Sequence, residues 1–275
     1  MEHGEIEKKC FDYVKQELLT RNSICYACSV ENEEIIKNAY NTAIPNPVWN
    51  KFPDFLFDNG FIEHFEVTSS HSNRNGSTMR RELDKLNEDI SSKEKAMMSE
   101  MNETPCYEGK TITANSWHSK HTYEDFCLSF KKSFEKHIDK FNKFSGNKEI
   151  SIFMIQYNDS ALVMNNDLSY LKTGIIYGDL IQEKNYNGYR LTHDGNMLEY
   201  IYQFKDKIHY VAFYNNDCFH GKLCEIICVE NIPEILKIVK GKYHFHCATI
   251  GTSHIIQGIS VPNHLSKGNK EDEQT

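Results

Sequence analysis

No stretch of this sequence is apolar for long enough to cross a bilayer, which excludes a membrane-spanning helix. The opening residues, MEHGEIEKKC, lack the apolar core of a signal peptide, so the expected location is cytoplasmic. Positive charge is in deficit. Lys and Arg number 31 against 39 Asp and Glu, a net charge of -8, which argues against a protein whose main work is unspecific coating of DNA. A local cationic cleft is still allowed. There is no internal repeat, which removes solenoids and propellers. There is also no second CxxC. Cys25 and Cys28 form one such pair, and a zinc site needs two further ligands. Cys218, Cys224, Cys228, His244, His246 and Cys247 would supply them only through a long-range meeting. In a reducing compartment the nine cysteines read as mostly free thiols.

What is present suits one large domain or two closely packed ones. Helix periodicity runs from Ile6 to Leu19, with Ile6, Cys10, Tyr13, Val14 and Leu18 on one stripe. Asn32 to Tyr40 reads as a short second helix, and Met79 to Met98 as a long one of mixed charge. Tyr123 to Phe144 is the clearest helix. Phe126, Phe130, Phe134, His137, Ile138 and Phe141 share its apolar stripe, and Lys131, Lys132, Lys136, Lys140 and Lys143 give it a basic outer face. That face suits either solubility or a phosphate backbone. Glu149 to Tyr157 is apolar without interruption over Ile152–Ile155, as in a strand covered on both sides. Residues 102–120 read as a loop. Met197–Phe204 and Lys207–Tyr214 read as strands, Leu223–Val229 as another, and Pro233–Lys240 as a helix stopped by Gly241.

The stretch with chemistry in it is Phe52–Thr68, FPDFLFDNGFIEHFEVT. Two apolar runs flank Asp58-Asn59-Gly60, a tight-turn signal. In the second run His64, Glu66 and Thr68 share one face, and Phe61, Glu63, Phe65 and Val67 the other. Asp54 and Glu66, brought level across the hairpin, would offer hard oxygen ligands to Mg2+ or Mn2+. Pro53-Asp54 followed by Glu66-Val67-Thr68 resembles the signature of the PD-(D/E)xK nuclease superfamily, with Thr68 where that family carries a lysine. The resemblance implies an α/β, restriction-endonuclease-like fold: a central mixed sheet flanked by helices over residues 1–160. A strand-rich extension over 161–266 and a disordered tail at 267–275 would follow.

The resemblance also implies metal-dependent phosphodiester hydrolysis of nucleic acid, DNA ahead of RNA. Asp54 and Glu66 would hold the metal, and Glu17 from the first helix and the Val67 carbonyl would complete its shell. His64 would orient or deprotonate water. Lys85, shortly downstream, is the first choice for the displaced cation. A homodimer follows if both strands of a duplex are cut. The alternative is a catalytically inactive nuclease-like module that binds nucleic acid or a protein partner, because threonine cannot replace a lysine's charge.

Overall fold

A computed structural model of the 275-residue chain describes residues 4–20, 24–48, 51–70, 72–73, 76–103, 109–118, 121–166, 188–217, 221–239, 243–247 and 250–259. The expected tail, 267–275, lies outside the described residues. The chain divides into two compact units. The first is Met1–His71 with His121–Ala248, and the second is Ser72–Lys120 with Thr249–Thr275. A boundary at residue 160 is not among these divisions.

The first unit is built on a mixed sheet. Helix α1 (Glu5–Thr20), strand β1 (Ile24–Ala27), helix α2 (Val30–Thr42) and strands β2 (Ile44–Pro45), β3 (Phe55–Phe57) and β4 (Gly60–Val67) come first in the chain. In the second unit follow β5 (Ser72–Asn73), β6 (Gly76–Ser77), α3 (Thr78–Glu103) and β7 (Gly109–His118). The first unit resumes with α4 (Tyr123–Lys143), β8 (Ile150–Tyr157), β9 (Leu162–Asn166), α5 (Gly195–Tyr202), β10 (Tyr210–Asp217), β11 (Gly221–Cys228), α6 (Ile232–Val239) and β12 (Tyr243–Cys247). Strand β13 (Ile250–Ile259) belongs to the second unit, antiparallel to β7.

The seven-stranded sheet has the order β1-β11-β10-β8-β4-β3-β2. Strands β2, β3 and β4 are an antiparallel meander. Helix α4 then carries the chain to β8, parallel to β4, and β10 lies parallel to β8. Strand β11 turns back antiparallel to β10, and β1 pairs parallel with β11. So β10 and β11, well past residue 160, complete the central sheet. The architecture is α/β, with helices on both faces and a strand-rich C-terminal region.

Strand alternation assigns the two faces. Ile62, Ile152, Met154, Tyr210, Ala212, Tyr214, Cys224 and Ile226 meet the buried stripes of α1 and α2. Phe61, Phe65, Val67, Phe153, Ile155, Tyr157, Val211, Phe213 and Ile227 meet α4, α5 and α6. The aromatic stripe of α4 fills the second layer: Phe134 sits 5.1 Å from Phe153 and 5.8 Å from Tyr200 between ring centres. Thr122 caps α4, its hydroxyl accepting from the Asp125 N–H at 2.9 Å, while Lys140 and Lys143 complement the helix dipole at the other end.

Two expectations are corrected. Residues 109–118 form β7 instead of a loop. Their partner β13 lies far along the chain, and no local pattern reports such a partner. Residues 195–202 form helix α5 instead of a strand. The Asp194 carboxylate accepts from the N–H groups of Asn196 and Met197, both at 3.1 Å. This N-cap overrides the strand preference of Tyr200, Ile201 and Tyr202.

Candidate acidic site on the hairpin

The register of the hairpin decides which acids meet. Phe57 faces Gly60, Leu56 faces Phe61 and Phe55 faces Ile62. Asp54 therefore comes level with Glu63, not with Glu66. Asp54's backbone N–H donates to Glu63 Oε2 at 3.1 Å, and its carboxylate accepts from the His64 backbone N–H at 2.7 Å. Gly60 closes the turn because there is no space beyond its Cα. A Cβ there would sit 1.8 Å from the Ile150 carbonyl oxygen.

Glu63 points into the α4 layer, where His137 and Lys140, three residues apart on that helix, both reach it. His137 Nδ1 lies 2.5 Å from Glu63 Oε1, and Lys140 Nζ lies 3.0 Å from the same oxygen. The His137 ring also stacks on Phe65, 4.5 Å between centres, which fixes its plane. Glu63 is 1 % exposed, so its charge depends on these donors.

The electrostatics follow from burial. Loss of water, and then the charge of Glu63, pushes the Asp54 carboxyl up to about 7, with the bond from the His64 N–H pulling back. Burial raises Glu63 as well, against the pull of the Lys140 ammonium. His137 is pushed down to about 3 by burial, then by Lys140 and Lys136. His137 is therefore neutral, with Nδ1 on the short contact to Glu63. Burial thus raises both acids toward their protonated forms, and the charge of Glu63 raises Asp54 further.

The other expected site residues of the first unit are dispersed. Glu66 is exposed, on the α1 face, and accepts from Asn158 Nδ2 at 3.0 Å. It stands three residues beyond Glu63, about 10 Å along the strand. Val67 is buried at the far end of β4, level with Tyr157. The His64 ring lies on the α1 face, with Nε2 3.0 Å from Gln156 Oε1; its backbone N–H bonds the Asp54 carboxylate and its ring is within electrostatic reach of it. Glu17 is buried on α1, within electrostatic reach of Tyr214 on β10. Lys85 is exposed on α3, in the second unit. Glu63, His137 and Lys140 were missed as site residues. A two-residue turn at Asp58-Asn59 sets Asp54 opposite Glu63 by counting alone, so that part of the signal was in the sequence.

Among the described residues no group of three or more His, Cys, Asp and Glu side chains is placed to hold a metal ion. Asp54 and Glu63 are the carboxylates that could hold Mg2+, which keeps several waters and takes one or two protein carboxylates. Among the described residues no group is placed to hold zinc. Cys28, Cys224 and Cys228 are reduced and buried under α1 and α2, Cys218 lies outside the described residues, and the Cys25 side chain is not described.

A second polar cluster ties the ends of β4 and β8 to the start of α4. The Ser69 hydroxyl is 2.8 Å from His121 Nδ1 and 2.9 Å from the Tyr157 hydroxyl, and the Ser69 N–H donates to Asp159 at 2.6 Å. This is not a relay for nucleophilic attack. Asp159 lies on the same Nδ1 side of His121 as Ser69, at 3.8 Å, and Ser69 is 0 % exposed.

Comparison of the chain with protein-family models, with curated proteins and with solved structures gave no match. Among the described residues no helix is long and apolar enough to cross a membrane.

Proposed function

We propose that the chain is a metal-dependent phosphodiesterase acting on nucleic acid, with Asp54 and Glu63 as the metal-holding acids. The observation that carries this reading is the juxtaposition of Asp54 and Glu63 across the hairpin, with Lys140 3.0 Å from Glu63. The order of elements supports it. A helix, a three-strand meander, a crossover helix and a parallel strand (α2, β2–β3–β4, α4, β8) suit a restriction-endonuclease-like core. Glu63 takes the place first expected for Glu66, and Lys140 on α4 supplies the cation expected from the hairpin or from Lys85.

Mg2+ or Mn2+ bound at this pair would polarise the phosphate and lower the pKa of a water. The protein's part is orientation and charge. His137 fixes one oxygen of Glu63 and leaves the other toward Asp54. The His64 N–H holds Asp54 in place. The Lys140 ammonium, half-exposed, balances the acids and can follow negative charge that builds on the phosphate.

A different reading has its own observation. Glu63 already has three partners, the Asp54 N–H on one oxygen and His137 and Lys140 on the other, so the cluster is also complete as a buried structural ion pair in a module that binds without cutting. A cleavage panel separates the two. Single- and double-stranded DNA and RNA are incubated with Mg2+ or Mn2+ and native protein, Asp54→Asn or Glu63→Gln. Metal-dependent cleavage that falls at least 100-fold in both variants supports hydrolysis. Equal cleavage by all three proteins, or none by the native one, removes it.

A further inference from the structure

We propose that the outer face of α4 is the DNA-binding surface, a track of lysines that leads a strand's phosphates to the acidic pair. The inference rests on the reading of Asp54 and Glu63 as the site of hydrolysis. Lys132, Lys136 and Lys143 are exposed and Lys140 is half-buried. At about 100° per residue these four fall within a quarter of the helix circumference, and from Lys132 to Lys143 they cover about 17 Å. One DNA strand presents a phosphate every 3.4 Å or so along the axis, so the track spans about five of them.

Position on the helix gives the track a direction. Lys140 is at its edge nearest the sheet and touches Glu63. Asp139 and Glu135 lie on the opposite flank, and Glu135 there accepts from the Tyr200 hydroxyl at 3.2 Å. Ser129, on the Lys140 side, accepts from the Thr68 N–H at 3.1 Å, which seats this flank against the end of β4. The Glu135 flank is of mixed charge, since Lys131 also lies there over the Tyr200 ring, whereas the side toward the acids carries Lys140. A protein of net charge -8 gains no general attraction for a polyanion, so a continuous local stripe is what DNA binding needs. Lysines without planar, bidentate partners read phosphate position and not bases. Binding should be strong in its salt dependence and weak in sequence preference.

The test measures binding without metal and cleavage with it. A short labelled DNA duplex is titrated in EDTA against native protein, Lys132→Glu/Lys136→Glu, and a control pair, Lys9→Glu/Lys222→Glu. The control makes the same charge change on the α1 side, where Lys222 lies over the Tyr13 ring. The track predicts at least tenfold weaker binding for the first pair only, and a salt slope smaller by about two. Equal weakening in both pairs, native protein that fails to bind, or tighter binding of an RNA duplex would overturn the DNA track. If the native protein cuts DNA and the lysine pair changes nothing, the track is wrong and hydrolysis stands. If the lysine pair loses binding while no cleavage occurs with Mg2+, the track stands and hydrolysis fails.

Discussion

Asp54→Asn should stabilise the metal-free protein at alkaline pH. The Asp54 carboxyl is pushed from its ordinary 3.8 to about 7 by burial and by Glu63. A carboxyl raised on folding binds its proton more tightly in the folded chain. Its contribution is therefore full at low pH and is lost as pH climbs from about 4 to about 7. A shift from 3.8 to about 7 corresponds to an upper bound of about 4 kcal/mol at pH 8, at 1.36 kcal/mol per unit. Asparagine keeps an oxygen for the His64 N–H and removes the charge. Urea unfolding in EDTA at several values of pH, native against Asp54→Asn, reads the difference for Asp54 together with the linked titration of Glu63 and His64. The curves should meet near pH 4 and separate toward pH 8, with the variant the more stable. Added Mg2+ should close the gap by stabilising the native protein alone. Parallel curves, or a native protein that is more stable than the variant at pH 8, would refute the reasoning that two acids share one site.

Other outcomes follow from the same structure. Phe134→Ala opens a cavity among Phe65, Phe130, Phe153 and Tyr200 and should cost about 3–5 kcal/mol in denaturant unfolding. Thr122→Ala removes the cap of α4 and should cost about 1 kcal/mol, with Thr122→Ser close to native. His193 is held down to about 3 by burial and then by Arg190, so the unfolded chain takes up its proton first. Stability should fall as pH drops below about 6.5, by up to ~1.4 kcal/mol per unit, and His193→Asn should flatten that slope. Glu225 accepts from the Leu191 N–H at 2.6 Å and from the Thr192 hydroxyl. Glu225→Ala strands those buried donors beside Arg190 and should cost about 3 kcal/mol or more.

Much of the fold was legible because its signals are local. The apolar stripes of α1 and α4, the continuous run in β8 and the turn at Asp58-Asn59 each follow from spacing along a few residues. So does the division of β4 into two faces. Strand β7 and helix α5 were misread because their determinants are a partner more than a hundred residues away and a single capping carboxylate. The candidate site fell between these cases. The sequence by itself determined that Asp54 and an acid of the next strand would meet at a hairpin, because a two-residue turn dictates the register. Only the tertiary structure decided what surrounds them. It laid α4 over β4 as the crossover to β8, and that packing, driven by burial of its phenylalanines, carried His137 and Lys140 to Glu63. A local pattern reports which face of a helix is apolar; which strand lies beneath that face, and so which charges meet, is settled by the packing of the whole sheet.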